Sequence, residues 1–190
     1  MERVFLLSPA HCGGKRAAMV LAESARFPLA VSLRADGAPL GEVFSFVSGI
    51  YFRGKLAYAR GFACPPPGTD GVLVITPTRG LRPAEERISS ARLREFATVD
   101  IHELDARYRN PLSRDAFALA DACGPLCEVV LLGSIATSKY IAVLHEAFGG
   151  RLRCPSAFVG LGDKRRGGML LRAVHDHREL DYMVIAPQRR

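Results

Sequence analysis

The stretch Cys127-Glu-Val-Val-Leu-Leu132 carries the strongest β-strand signal in the chain, because it is short, almost wholly apolar and partly β-branched. Gly133-Ser134 follows it, and the spacing of apolar residues over 137–148 then predicts a helix. A strand, a short turn and a helix in that order are typical of a parallel βαβ unit. This segment therefore predicts an α/β fold.

The same alternation of strand and helix recurs along the rest of the chain. Apolar runs predict further strands at residues 3–8, 72–75, 152–154 and 180–186, and helical spacing predicts helices at residues 14–23, 50–62, 90–96, 113–122 and 168–175. Residues 26–46 are interrupted by prolines and by Asp36-Gly37, so they predict short helical turns. We expect a single α/β domain over residues 1–190, with a three-layer, Rossmann-like, mostly parallel sheet and helices on both faces.

The composition indicates a globular, basic protein. Hydrophobic residues make up 48% of the chain, and 26 Lys+Arg against 19 Asp+Glu give a net charge of +7. Such a charge favours polyanionic partners such as DNA, RNA or nucleotides. No apolar run approaches the roughly 20 residues of a membrane helix, and the N-terminus lacks a signal-peptide pattern. We therefore expect a cytoplasmic protein without a membrane partner.

The cysteines and the known nucleotide motifs bear on cofactors. An odd count of five cysteines predicts reduced thiols, and Cys123 with Cys127 lacks the second close pair of a zinc site. Cys12 precedes a predicted helix beside Lys15 and Arg16, which would depress its thiol pKa unless it is an inert loop residue. Neither Gly-x-Gly-x-x-Gly after a strand nor a P-loop motif occurs. We expect no metal and no cofactor.

Two loops rich in glycine and basic residues indicate a site. One is Ser8-Pro-Ala-His-Cys-Gly-Gly-Lys-Arg16, and the other lies within Phe158-Val-Gly-Leu-Gly-Asp-Lys-Arg-Arg-Gly-Gly-Met-Leu-Leu-Arg172. In open α/β sheets, ligands bind outside the carboxyl ends of the strands, which gathers the loops at residues 8–16, 76–80, 133–139 and 160–168. Backbone amides there, assisted by Lys15, Arg16, Lys139 and Arg166, could hold a phosphate or carboxylate.

Asp163 is the leading candidate for acid or base chemistry. It lies among glycines and next to three cations, so it should stay ionised and orient water or hold a nucleobase edge. Alternatively it caps the following turn. His11 is its possible catalytic partner, although a lone loop histidine is usually structural or solvated. The predicted substrate-binding residues from the loops and the 50–62 helix are Ser8, Gly13, Gly14, Lys15, Arg16, Tyr51, Phe52, Gly133, Ser134, Lys139, Gly162, Arg166 and Gly167.

The middle of the chain resembles a known group of proteins. Ser48-Gly-Ile-Tyr-Phe-Arg-Gly-Lys-Leu-Ala-Tyr-Ala59 and Val74-Ile-Thr-Pro-Thr-Arg-Gly-Leu-Arg-Pro83 are similar to motifs of uncharacterised α/β domains related to the peroxide-stress YaaA-like group. The strand at 129–132, Gly133, Tyr140 and residues 155–162 resemble the closing half of that group.

The resemblance implies a Rossmann-like fold akin to uracil-DNA glycosylases and a link to DNA or modified-base metabolism. It carries over Ser48, Lys55, Tyr58 and Gly80 as candidate pocket residues. The chain departs from the wider group in lacking the glycosylase water-activating and histidine motifs and the helix-hairpin-helix insertion.

Three classes of function follow. The first is an enzyme acting on a nucleobase, nucleoside or nucleic-acid base, of an N-glycosidase-like or base-modifying hydrolase type, with Tyr51 or Phe52 stacking the base. The second is a non-catalytic DNA- or RNA-binding protein that uses the same cations. The third is an enzyme for a small anionic metabolite.

Overall fold

The computed structural model describes residues 1–135 and 138–186. Within these residues the strands are β1 (Arg3–Leu7), β2 (Ala38–Pro39), β3 (Val72–Thr76), β4 (Gly80–Pro83), β5 (Arg87–Ile88), β6 (Glu128–Leu132), β7 (Leu152–Pro155) and β8 (Tyr182–Val184). The helices are α1 (Lys15–Leu21), α2 (Pro28–Arg34), α3 (Leu40–Ser48), α4 (Ile50–Phe62), α5 (Ser90–Phe96), α6 (Ala106–Ala122), α7 (Ser138–Phe148) and α8 (Asp163–His175). Two 3₁₀ turns cover Gly149–Arg151 and Ser156–Phe158.

The main sheet has six strands in the order β4-β3-β1-β6-β7-β8. Its four central strands, β3, β1, β6 and β7, are parallel, whereas the edge strands β4 and β8 each pair antiparallel with their neighbours. Strands β2 and β5 form a separate antiparallel pair. The predicted α/β fold with a mostly parallel sheet is confirmed.

Side chains of strand β1 enter two separate hydrophobic clusters in alternation. Phe5 and Leu7 pack in a cluster that also contains residues of α3, α4 and α8. Val4 and Leu6 pack in a second cluster with residues of α6 and α7. Because successive residues of a strand point to opposite faces, β1 is buried on both sides, as its unbroken apolar sequence predicts.

The order of the strands reverses between the neighbouring strands β1 and β6. The chain leaves β1 and returns to the sheet at β3 on one side, and it later returns at β6 on the other side of β1. Loops that follow β1 and β6 therefore diverge at the carboxyl ends of these two strands. Such a reversal of strand order is where open α/β sheets bind ligands.

Helix α6 begins seven residues earlier than the predicted helix at 113–122. The Asp105 carboxylate caps it by accepting a hydrogen bond from the backbone N–H of Arg107 at 2.9 Å, and Pro111 lies inside it. Proline indicates a helix boundary in a sequence, but here the packing of α6 against the sheet outweighs its cost. Asp115 consequently lies in the middle of the helix.

Two other regions are more helical than predicted. Helix α3 is continuous over nine residues where short turns were expected. Helix α8 begins at Asp163, so the segment predicted as a glycine-rich loop before residue 168 forms the first turns of this helix. No helix among the described residues has the length and apolar character needed to cross a bilayer.

Glycines explain how α8 can pack so closely on α4. A Cβ at Gly167 would lie 2.8 Å from the Cα of Tyr51 and 2.9 Å from the carbonyl oxygen of Ile50. A Cβ at Gly54 would lie 2.7 Å from the Gly167 carbonyl oxygen. The backbones of the two helices are therefore in direct contact at these positions. Such a close approach requires glycine, because any Cβ would clash with the opposite backbone. This contact brings the first turn of α8 close to the loop that follows β1.

Candidate active site

A cavity of about 510 Å³ opens beside the carboxyl ends of β1 and β6. Its walls come from the β1 loop, the end of α3, the first turns of α4, the loop between α5 and α6, the start of α7 and the start of α8. The lining residues are Ser8, Pro9, Ala10, His11, Ser48, Tyr51, Lys55, Asp100, Ile101, Ser134, Lys139, Tyr140 and Asp163.

The cavity brings together part of the predicted site. The predicted residues that line it are His11, Asp163, Ser8, Ser48, Tyr51, Lys55, Ser134 and Lys139. Other predicted residues are not among its lining residues, namely Gly13, Gly14, Lys15, Arg16, Phe52, Gly133, Gly162, Arg166 and Gly167. Predicted loop residues 136 and 137 lie outside the described residues.

Lys55 forms the buried base of the cavity and is only 1% exposed. Its ammonium nitrogen Nζ donates to the backbone carbonyl oxygen of Ser8 at 2.6 Å and lies 2.8 Å from Ser8 Oγ. Helix α4 directs this side chain inward because Lys55 lies one turn after Tyr51, on the same buried face. The long side chain of Lys55 therefore ends against Ser8, the residue that directly follows β1.

The surroundings of Lys55 disfavour its charged form. Nζ lies 4.6 Å from the ring centre of Tyr51 and 4.7 Å from that of Phe52, so the aromatic faces compensate for only part of the lost hydration. Burial lowers the pKa of the Lys55 ammonium to about 7, and the charge of Asp163 opposes this fall. Near neutral pH a large share of Lys55 is therefore an uncharged amine.

Ser8 is held in place by its backbone. Its N–H donates to the Leu132 carbonyl oxygen at 3.1 Å, which extends the pairing of β1 with β6 by one residue. A Cβ at Gly133 would lie 2.9 Å from Ser8 Cβ and 3.2 Å from Ser8 Oγ. Gly133 thus gives the Ser8 side chain its space, which accounts for this glycine without any contact to a ligand.

Asp163 lies at the opening of the cavity as the first residue of α8, following the N-cap residue Gly162. Its side chain is 70% exposed, and Oδ1 lies 3.6 Å from Nη1 of Arg166. The buried Arg166 guanidinium also donates to the Phe158 carbonyl oxygen at 3.0 and 3.2 Å. The Arg166 side chain therefore links the loop before α8 to the helix itself. The sequence had predicted that Arg166 would hold a ligand phosphate.

Tyr51 and Tyr140 supply the aromatic surface of the cavity. Burial raises the pKa of Tyr51 to about 12, although the nearby charge of Arg166 opposes the rise. The buried Tyr51 hydroxyl makes no well-formed hydrogen bond to any described residue. Burial also raises the pKa of Tyr140. Both phenols are therefore neutral at physiological pH.

The basic residues of the first glycine loop lie outside the cavity. Lys15 and Arg16 are exposed in the first turn of α1, and Arg16 reaches toward the Phe46 carbonyl oxygen at 3.4 Å. Cys12 is buried and its thiol contacts the Ala10 carbonyl oxygen at 3.4 Å. Burial raises the pKa of Cys12 to about 12, so the suggested depressed pKa is wrong and the inert alternative holds.

The glycine and aromatic residues outside the cavity have structural explanations. Gly167 permits the contact between α4 and α8, and Gly162 precedes α8 in extended conformation. Gly13 and Gly14 lie against the imidazole ring of His11, the latter as the N-cap residue of α1. Phe52 is fully buried, with its ring centre 5.4 Å from that of Phe44.

The loop at residues 76–80 does not contribute to the cavity. It is a tight turn between β3 and β4, closed by a hydrogen bond from Thr76 Oγ1 to the Gly80 carbonyl oxygen at 3.0 Å. Gly80 has a φ of +65° and packs against α6. Tyr58 is also remote, since its hydroxyl lies 2.7 Å from that of Tyr182 in the core. Of the residues carried over by resemblance, Ser48 and Lys55 line the cavity, whereas Tyr58 and Gly80 do not.

Three residues that line the cavity, Asp100, Ile101 and Tyr140, were not predicted as part of the site. Asp100 and Ile101 come from the loop between α5 and α6, where no motif marks them. Tyr140 lies in the first turn of α7, directly after the β6 loop. Its place after a strand end is a signal that could have identified it.

No protein-family model matches the chain, and no curated protein or solved structure matches it either. Among the described residues, no group of three or more His, Cys, Asp or Glu side chains is placed to hold a metal ion.

Proposed function

We propose that the protein is an enzyme that acts on a nucleobase or nucleoside, or on a base of a nucleic acid, bound in the cavity above Lys55. The observation that carries this proposal is the combination of two tyrosines, two carboxylates and an amine with a depressed pKa around one open cavity. Binding sites for small molecules commonly have volumes of about 300–1,000 Å³, so the cavity can enclose a ligand of this class.

The lining residues suggest how such a ligand would be held. The ring of Tyr51 or Tyr140 offers an aromatic face for a base, since stacking tolerates any base. Asp163 and Asp100 can accept hydrogen bonds from exocyclic amino groups or ring N–H groups, and an ionised Asp163 can also orient a water molecule. His11 and Lys139 line the same cavity and can contact a sugar or phosphate.

We also propose a finer fold and a location for the protein. The pair of hydrophobic clusters fits a three-layer, Rossmann-like arrangement with helices on both faces of the sheet. The motif resemblance to the YaaA-like group favours the same arrangement and a substrate linked to DNA or modified bases. Free cysteines, four of the five buried, fit a cytoplasmic location.

The proposal is tested by ligand-observed NMR with a panel of nucleobases, nucleosides and nucleoside monophosphates. We expect saturable binding of at least one nucleoside. We also expect the protein to convert that nucleoside to a product, which chromatography will detect. Asp163→Asn should weaken binding about tenfold or more, because a hydrogen bond to a charged acceptor contributes about 1.5–3 kcal/mol. Asp121→Asn is the matched control, since Asp121 is exposed in the last turn of α6.

The same preparation distinguishes the two alternatives. Binding of small anions such as phosphate or citrate without nucleosides would indicate an enzyme for an anionic metabolite. Fluorescence anisotropy with labelled single-stranded DNA, duplex DNA and tRNA across a salt series tests the polymers. A non-catalytic nucleic-acid-binding protein would lose affinity for the labelled polymers steeply as salt increases. It would also bind no nucleoside, and Asp163→Asn would not change its affinity.

A further inference from the structure

We infer that Ser8 is a nucleophile with Lys55 as its general base, so that the protein cleaves an acyl carbon–nitrogen or carbon–oxygen bond of its ligand. This inference deepens the proposed function and rests on it for the identity of the ligand, but the reactivity of Ser8 can be measured independently.

The two side chains have the geometry of a nucleophile and its base. Nζ of Lys55 lies 2.8 Å from Oγ of Ser8, within the 2.6–3.2 Å over which a positioned base takes a proton. The 2.6 Å hydrogen bond from Nζ to the Ser8 carbonyl oxygen fixes the orientation of the amine. When Lys55 is uncharged, one N–H donates to this carbonyl and the lone pair is directed at the hydroxyl. Pairs of serine and lysine without histidine are one established form of this chemistry.

The burial of Lys55 is difficult to explain by packing alone. An amine that is 1% exposed loses nearly all of its hydration, and within residues 1–135 and 138–186 its hydrogen-bond partners are the two oxygens of Ser8. An apolar side chain of similar length would fill the same space without that cost. Gly133 in turn leaves room for the Ser8 side chain to lie against the cavity.

The reaction needs only water as a co-reactant. The Oγ–H proton of Ser8 passes to Nζ of Lys55 as Oγ forms a bond to the acyl carbon, and the carbonyl π electrons move to oxygen. The tetrahedral intermediate collapses, the bond to the leaving nitrogen or oxygen breaks, and the leaving group takes the proton from Nζ. Water then attacks the acyl-Ser8 ester and gives a proton to Nζ. Ser8 Oγ leaves as the acid is released and regains that proton.

The charged and titratable groups around Lys55 make the step sensitive to pH. The groups that share its cavity are His11, Tyr51, Asp100, Lys139, Tyr140 and Asp163. Among them, Asp163 has a resolved effect on Lys55, because its negative charge raises the pKa of the ammonium. Neutralising Asp163 should therefore make the amine available as a base at lower pH.

The test is covalent labelling with an alkyl fluorophosphonate, followed by intact-protein mass spectrometry and peptide mapping. We expect one adduct, on Ser8, formed at a rate that rises with pH through a midpoint near pH 7. Lys55→Met should slow labelling at least about 100-fold, which is the usual contribution of a general base. Asp163→Asn should move the midpoint to lower pH. Lys164→Met, which removes an exposed lysine of α8, should change neither rate nor midpoint.

Two results would overturn the inference. One is the absence of an adduct on Ser8, whether or not another residue is labelled, and the other is a pH midpoint that Asp163→Asn does not move. The second readout holds even if Lys55→Met fails to fold, which circular dichroism will show, because Asp163 is exposed and its variant keeps Lys55. Nucleoside binding without labelling of Ser8 refutes this inference alone, whereas labelling of Ser8 without nucleoside binding refutes the choice of ligand alone.

Discussion

Lys55 should make the stability of the fold depend on pH in a measurable way. Its pKa is 10.5 in the unfolded chain and about 7 in the folded protein. Between these values the unfolded chain binds a proton that the folded protein does not. The free energy of unfolding must therefore increase as the pH rises through this range, and it falls as the pH drops toward 7.

The magnitude follows from the size of the shift. The full difference in pKa corresponds to about 5 kcal/mol, since each pKa unit is worth about 1.4 kcal/mol. From about pH 6.5 to about pH 8.5, the free energy of unfolding should increase by about 2 kcal/mol because of Lys55. Lys55→Met removes this titration while keeping an unbranched side chain of similar length, so the variant should lack the increase.

Urea unfolding monitored by circular dichroism at the two pH values measures the effect. The stability of the wild type relative to Lys55→Met should increase by about 2 kcal/mol from the lower to the higher pH. Other titrating groups are common to both proteins and largely cancel in the difference. Lys164→Met, with an exposed lysine removed, should follow the wild type. Parallel curves for the wild type and Lys55→Met would refute the reasoning, because they would mean that Lys55 stays protonated in the fold.

Two further predictions concern the helix contact and the thiols. Gly167→Ala places a Cβ 2.8 Å from a backbone atom of α4, so we expect a loss of about 1–3 kcal/mol in urea unfolding. Gly168→Ala, where nothing lies within 4 Å, should instead gain up to about 1 kcal/mol, and equal effects of the two variants would contradict the close contact. With a disulfide reagent, we expect one fast-reacting thiol, the exposed Cys64, and none in Cys64→Ser, because the other four cysteines are buried. Fast reaction of a second thiol in the native protein would contradict their burial.

The sheet could be predicted from the sequence because its central strands are unmistakable. Strands such as β3 and β6 are short, apolar and bounded by turn residues. Such a pattern is typical of a buried strand and does not fit a long helix. The bounds of α6 and α8 were harder to predict because Pro111 and Gly167 lie inside these helices. Both residues indicate helix ends locally, but tertiary packing decides their structure, and Gly167 is tolerated in α8 because α4 lies against it.

The site could be predicted only in part. The rule on strand ends identifies Ser8 and Ser134 from sequence alone, since Ser8 directly follows β1 and Ser134 lies two residues after β6. Lys55 has a signal of its own, because it is a lysine on the apolar face of an amphipathic helix. Asp100 has none, since it lies in a loop that approaches the cavity only after folding. The direction of Lys15 could not be predicted either, because composition gives the charge of a loop but not where its side chains point.

The contact between Gly54 and Gly167 has a consequence for how the site tolerates change. Main-chain atoms at Gly54 and Gly167 fix the distance between α4 and α8. Substitutions of neighbouring side chains leave these main-chain atoms in place. A lineage that keeps the two glycines can therefore alter much of the surrounding core while Asp163 keeps its influence on Lys55. An engineer who replaced these glycines to improve helix propensity would instead disturb the helix contact that holds Asp163 near Lys55, and would thereby change the acidity of the buried amine.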